Sequence, residues 1–278
     1  LDREMIEFKQ LENPPYYIDY RVEDNTITKI ASSFGSLSSS HTQKNRSLTV
    51  SVRIGDYDFD NTHMIENEMY KDYNESVVNS NLPLNYDAPE AIRQIIWLST
   101  DQAYKKALSS YISLMNSKEE LNGNSVSDFS KVEPQVYIEP KPLNWDILNI
   151  KKAEKQVKKY TAIFQEDTSV VYANANYNYL TKRKYYINTE GTNIVQNFSY
   201  CHLSISVNVK SDENYLLPYT KSYYAFTPED LPDHDSIMRD LMEAKELLVQ
   251  IIHAKDAEPY TGPALLSPEA TGKSQKTD

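Results

Sequence analysis

The sequence predicts an α+β fold, with antiparallel sheet(s) and long flanking helices arranged as two helix–strands–helix halves. Three observations predict it. Residues 47–54 alternate polar and apolar side chains with the period of a half-buried strand. Residues 87–115 and those following Asp233 repeat apolar positions every three or four residues, as helices do. Each group of strand-like segments lies between two such helical stretches.

The elements follow in order. Leu1, Met5, Phe8 and Leu11 form one helical stripe over residues 1–12, which Pro14 and Pro15 stop. Tyr16, Ile18, Tyr20 and Val22 alternate in a first strand over 16–22, and residues 25–42 supply one or two more. The strand 47–60 carries a bulge at Gly55, where the apolar phase slips by one to Tyr57 and Phe59. This reading turns Asp56, Asp58 and Asp60 to solvent. Residues 64–86 are polar and irregular. Asp87, with Glu90 behind it, caps a helix whose buried stripe is Ile92, Ile96, Ala103, Ala107, Tyr111 and Met115.

A loop with prolines at 134, 140 and 142 leads to a second half. Its first helix, about 145–165, buries Ile150, Ala153, Val157, Tyr160 and Phe164. Strands follow at 168–179, 183–189, 192–209 and 214–226, with turns at "NTEGT" (188–192) and "SDEN" (211–214). A closing helix capped near Asp233 buries Ile237, Leu241, Ala244, Leu248 and Ile251. Residues 1–266 read as one structured region, with possible halves 1–118 and 145–255, and 267–278 as a polar flexible tail. Residue identity between the halves is poor.

Composition excludes several classes. A net charge of −11 argues against nucleic acid and anionic membranes as partners, and the lysine runs near 151–159 and 182–184 read as solvated faces. No apolar run approaches the roughly 20 residues that cross a bilayer. A single cysteine excludes an intrachain disulfide framework.

The candidate chemistry is thin. "DYDFDN" (56–61) imitates a calcium loop, but position 6 is Asn61 rather than glycine and position 12 is Asn67 rather than glutamate. Cys201 is in phase with Leu203, Ile205 and Val207, so it points into the core, and His202 points away from it. No two of the five histidines have zinc-motif spacing. "GKS" (272–274) lacks the glycine of a phosphate loop at Ser267. These residues specify no catalytic site and no metal site.

Seven stretches in series carry a resemblance: "PPYYIDYRVEDN", "ASSFGSL", "RSLTVSVRIGDYDFDNT", "APEAIRQIIWLSTDQAYKKALSSY", "YYINTEGTNI", "YYAFTPEDLP" and "AEPYTGPALLS". Their order and spacing resemble the N-terminal half of TldD/PmbA-family proteins, the metallopeptidase-related group also called modulators of DNA gyrase. In that family the zinc motif HExxxH follows the segment matched by "EPYTGPALLS", and residues 1–278 contain no such motif. The resemblance therefore implies zinc only for a C-terminal half and none for this chain. It implies a non-catalytic domain that encloses extended peptides together with a C-terminal half or a second subunit, as a homo- or heterodimer. Tyr17, Asp19, Tyr57, Asp58 and Asp60, on strands 16–22 and 47–60, are the expected peptide-facing residues. A stand-alone peptide-binding or scaffold protein is the alternative, and an active hydrolase built from other residues ranks last. The compartment stays open between export, which the missing initial methionine favours, and the cytoplasm.

Overall fold

The computed structural model describes residues 2–63, 76–85, 89–116, 126–143, 145, 148–212, 214–254, 261–263 and 265. Leu1, the expected cap Asp87, "GKS" and the expected tail fall outside them. The chain runs α1 (Asp2–Phe8), β1 (Pro15–Ser33), β2 (Ser36–Ile54), β3 (Val77–Leu82), α2 (Pro89–Asn116), β4 (Val136–Ile138), α3 (Ile150–Ala162), β5 (Val170–Asn188), β6 (Asn193–Lys210), β7 (Leu216–Ala225) and α4 (His234–Ile252). One seven-stranded sheet takes the order β3-β2-β1-β5-β6-β4, and β7 also pairs with β6. All pairings are antiparallel except β4 with β6. The α+β arrangement expected from the sequence is the one observed. The two halves meet where β1 pairs with β5 from Asp19↔Asn188 to Ser33↔Asn174.

The principal strands are longer than expected. β1 and β5 each run 19 residues, about 60 Å at roughly 3.3 Å per residue. The expected breaks at 23–25 and 180–182 are absent. There the apolar alternation lapses, but cross-strand polar pairs take its place. Lys182 bonds Glu23 at 2.7 Å, Arg183 bonds Asn197 at 2.7 Å, and Arg46 makes a two-pronged pair with Asp24. β3 and β4 were read as loop. β3 is six residues with Ser80 at the centre of its buried face, and β4 is three residues, all exposed.

A two-residue turn joins β1 to β2, with Phe34 and Gly35 both at positive φ (44° and 77°). The tip is fastened to α3, because Gly35 N–H donates to Thr161 Oγ1 at 2.9 Å. A Cβ on Gly35 would stand 3.2 Å from Ala162 Cβ.

The helices cover one face of the sheet in two groups. Ile18, Tyr20, Leu48, Val50, Val52 and Ile54 pack under α2, joined by Met5 and Phe8 of α1. Ile30, the odd-numbered residues 173–179 of β5 and 201–209 of β6, Val157, Tyr160, Leu241 and Leu248 form the second group under α3 and α4. The strand residues of both groups lie on the same side of the register. The helix stripes follow the sequence with small shifts: Leu114 is buried where Met115 was expected, and Ile252 where Ile251 was. α1 stops at Phe8, so Leu11 falls off the stripe and is exposed. Phe164 is fully buried beyond the end of α3, which spans 150–162 rather than 145–165. Asn149 caps α3 by accepting from Lys152 N at 3.1 Å, and Asp233 caps α4 by accepting from Ser236 N at 2.9 Å.

Candidate functional site

The opposite face of the sheet carries no helix among the described residues. By register it presents Tyr17, Asp19, Arg21, Glu23 and Asn25 from β1, with Arg53, Ser51 and Thr49 from β2. β5 adds Tyr186, Lys184 and the asparagines 178, 176 and 174, and β6 adds Tyr200, His202, Ser204 and Ser206. Ser222 and Tyr224 complete it from β7. The face is polar and rich in tyrosine. Arg21 Nε, Asn25 Oδ1, Asn174 Oδ1 and His202 Nε2 are buried on it without a hydrogen-bond partner. Buried polar atoms of this kind are costly in isolation, roughly 1–3 kcal/mol each, and mark places where a ligand or water completes the bonding. Near one side of the face His202 stacks flat on Tyr224, ring centroids 4.5 Å apart. Burial keeps the imidazole below its ordinary pKa and therefore neutral near pH 7.

One end of this face is closed by the loop after β2 and by residues 126–131. β2 stops at Ile54 and does not bulge onward to 60, which corrects the expected strand. Gly55 turns the chain at φ 114°, and only a bridge to Asp60 returns it to the strand. Asp56 Oδ1 accepts from the backbone N–H groups of Asp58 and Phe59, both at 2.9 Å, forming a local turn that replaces ladder bonds. Asn61 Oδ1 then accepts from Ile54 N at 2.7 Å. The three aspartates consequently have three fates. Asp56 is a turn residue, Asp58 is exposed and accepts from Ser127 Oγ at 2.6 Å, and Asp60 is completely buried.

Asp60 does not face solvent because its carboxylate is saturated from inside. Oδ2 accepts from Arg53 Nη1 at 2.6 Å and from Tyr16 OH at 2.7 Å. Oδ1 accepts from Thr62 N and Thr62 Oγ1, each at 2.7 Å. Burial alone would raise its pKa, but these bonds outweigh burial and hold the carboxyl below its usual range. Tyr17 is also not a free surface group. It is 3% exposed beneath the ring of Phe129, 4.7 Å away, and its hydroxyl bonds Tyr186 at 2.7 Å. Tyr57 stacks on Phe129 and donates to Glu190, whose acceptor bond, with burial, pushes the phenol up to about 12. Asp19 is half-buried, and burial pushes its carboxyl up to about 6 against the opposing pull of Arg21, Ser51 and Arg53. The structure thus gathers all five expected residues at one end of the open face, but leaves only Asp19, Tyr57 and Asp58 within reach of a ligand.

Several residues here were not foreseen. Asp128 accepts from His63 Nδ1 at 2.8 Å and from Asp60 N at 2.8 Å, and both side chains of that His–Asp pair are nearly buried. Arg53 lies 4.1 Å over the Phe129 ring, and Phe129 N–H donates to Tyr57 O at 3.0 Å. These contacts join positions about 65–75 residues apart in an otherwise polar run, and no local pattern marks them. Among the described residues no serine, threonine or cysteine is bonded to the His63–Asp128 pair. Cys201 is fully buried, with its thiol pushed up to about 11 chiefly by burial, and it bonds Tyr177 OH. Among the described residues no three His, Cys, Asp or Glu side chains are grouped to hold a metal ion, and no helix is long and apolar enough to cross a membrane.

Residues 137–250 match the family model of the PmbA/TldA metallopeptidase central domain. That match, over 114 of the 278 residues, agrees with the resemblance that the motifs carry. No curated protein matches the chain. Solved structures share the fold. A protein named a modulator of a DNA gyrase from Thermotoga maritima is 15% identical, with a TM-score of 0.53 over 92% of this chain and 49% of that one. A protein of the same description from Bacteroides thetaiotaomicron is 10% identical, TM-score 0.53, over 86% and 48%. TldE from Thermococcus kodakarensis is 12% identical, TM-score 0.51, over 88% and 47%. The chain spans about half the length of each.

Proposed function

We propose that this chain is a non-catalytic, substrate-enclosing and assembly domain of a TldD/PmbA-type peptidase that acts on extended peptides. The observation that supports it is the helix-free face of the sheet, about 60 Å along its longest strands, carrying Arg21, Asn25, Asn174 and His202 with unpartnered polar atoms. An extended peptide offers one carbonyl and one N–H per residue and can satisfy such groups with little demand on its own sequence. The loop 55–63 and residues 126–131 wall one end of the face, and in this reading Tyr57 and Asp19 meet a peptide terminus there. The described residues offer no group fit to hold zinc, so no hydrolytic step is assigned to them. In this reading, bond cleavage belongs to a C-terminal half or a partner subunit.

A fluorescein-labelled, unstructured 20-residue peptide tests the proposal by anisotropy, alongside Arg21→Ala and His202→Ala proteins. Both variants should weaken binding at least threefold while their melting temperatures stay within about 2 °C of the parent, because neither side chain makes a hydrogen bond or ion pair among the described residues. Unchanged binding in both variants would refute the assignment of this face. Tight peptide binding with no complex formed by an added C-terminal half would favour the stand-alone binding protein.

A further inference from the structure

We infer that α3 and its surroundings form a second binding site, for an acidic segment of another protein, on the helix-covered side of the sheet. A cleft of about 910 Å³ lies there, lined by Gly35, Asn149, Gln156, Ala162, His234 and five lysines, Lys151, Lys152, Lys155, Lys158 and Lys159. None of its described lining residues is acidic, in a chain with 40 acidic and 29 basic residues. None of the five lysines forms an ion pair among the described residues, although the chain is rich in carboxylates.

The arrangement costs the helix stability. Lys151–Lys155 and Lys155–Lys159 are i,i+4 like-charge pairs, and Lys152–Lys155 and Lys155–Lys158 are i,i+3 pairs. Each such pair opposes helix formation, with only Glu154 on α3 to offset them. The buried stripe of Ala153, Val157, Tyr160 and Thr161 holds α3 in place regardless, so the lysines are free to serve as a charged rim. An anion entering the cleft relieves the mutual repulsion and gains from all five charges.

The chemistry of the cleft selects among anions. Its described lining contains no phenylalanine, tyrosine or tryptophan on which bases could stack, a poor match to single-stranded nucleic acid. Nor do the described lining residues include an arginine fork for bidentate grip on phosphate. Its volume exceeds what one phosphate or carboxylate fills, and it lies open between the β1–β2 turn at Gly35 and the start of α4 at His234, with room for a chain segment. At physiological ionic strength the screening length is about 8 Å, so an acidic segment in the cleft feels mainly the five lysines, set against the few carboxylates close by, Glu154, Asp233 and Asp235. A run of glutamates or aspartates in a partner protein is the occupant that fits.

The test uses the full chain and a fluorescein-labelled 12-residue peptide of alternating glutamate and serine, with its glutamine counterpart as control. The acidic peptide should bind at 50 mM salt, weaken at least tenfold by 300 mM salt, and lose at least tenfold affinity in the exposed triple variant Lys152→Glu, Lys155→Glu, Lys159→Glu. A matching Lys→Gln triple should lose less, and circular dichroism of both should overlay the parent. No binding at 50 mM salt, equal binding by the charge-reversed variant, or tighter binding of a 12-nucleotide oligodeoxythymidine or of phosphatidylglycerol vesicles would each overturn the proposal. The Arg21→Ala protein should bind the acidic peptide like the parent, which separates this site from the sheet face.

Discussion

Arg53 Nη1 stands 2.6 Å from Asp60 Oδ2, and the Asp60 side chain is wholly removed from solvent while the Arg53 side chain keeps about a fifth of its exposure. The pair closes the loop after β2 onto the sheet. Removing one partner of a buried pair strands the other, which typically costs about 3–5 kcal/mol. Asp60→Ala should therefore lower unfolding free energy by that order in urea titration, and Asp60→Ala with Arg53→Met by distinctly less. The pH dependence has a definite sign. Asp60 titrates lower in the folded protein than unfolded, so its contribution is present above the unfolded carboxylate pKa of about 3.9 and is lost as pH falls below it. The parent should lose stability in acid more steeply than Asp60→Asn; parallel curves would show that the carboxylate is not the group responsible.

Gly55 sits at φ 114°, and a Cβ there would come 2.3 Å from Phe59 O and 2.9 Å from Tyr111 Cε2. Neither neighbour can yield cheaply, since one is backbone and the other belongs to α2, packed on the sheet. Gly55→Ala should destabilise by roughly 2 kcal/mol or more, the sum of a left-handed penalty and the clash. A change within 0.5 kcal/mol in a denaturant melt would mean the loop rearranges freely.

That loop also shows where the sequence stopped being readable. Helices were legible because burial repeats with the helical period: Ala103 and Ala107, Val157 and Tyr160, Ile237 and Leu241 all face the core as their spacing implies. Cys201 and His202 point to opposite faces for the equally simple reason of strand alternation. After Gly55 the alternation of Tyr57 and Phe59 with aspartates resembles a strand, yet the aspartates cap a turn and an ion pair instead. Local pattern cannot distinguish these, because the deciding partners Tyr16 and Asp128 come from elsewhere in the chain. The long strands were split for a related reason, since Lys182–Glu23 and Arg46–Asp24 hold registers that apolar alternation does not mark.

Asp19 has the opposite titration behaviour to Asp60. Burial raises its folded pKa to about 6 above an unfolded value of about 3.9, so the folded state binds the extra proton between those pH values. Stability from this group is greatest below pH 4 and is lost as pH rises through 6. Asp19→Asn should flatten the stability curve between pH 4 and 6 and stabilise the protein by about 1 kcal/mol at pH 7, after allowance for its partial exposure. Chemical denaturation at pH 4.5 and 7 checks this, and destabilisation at pH 7 would show that Arg21 and Arg53 need the charge.

Cys201 is fully buried and titrates well above neutrality. At pH 7.5 its thiolate fraction is of order 0.1% or below, and access requires opening of the sheet. A disulfide reagent should leave the native thiol unlabelled for hours and label one thiol per chain within minutes in denaturant. Rapid native labelling would contradict the packing of β6 against α3 and α4.

Residues 126–131 are fastened across the end of the open face by three kinds of contact: the His63–Asp128 pair, the Phe129 ring between Tyr17 and Arg53, and the Ser127–Asp58 bond. The ring is the central one, because it covers Tyr17, which has no other cover on that side among the described aromatic contacts. Phe129→Ala should expose Tyr17 and lower stability by about 2 kcal/mol, less than the 3–5 of a fully buried ring because the segment is only partly enclosed. Asp128→Asn keeps the ring but weakens the grip on His63, so its effect should be confined to the loop. Hydrogen exchange would separate the two: Asp128→Asn should speed exchange at Asp60 and Phe129 about tenfold and leave β5 and β6 unchanged. If exchange quickened across the whole sheet instead, the segment would be a support of the fold and not a wall of the site.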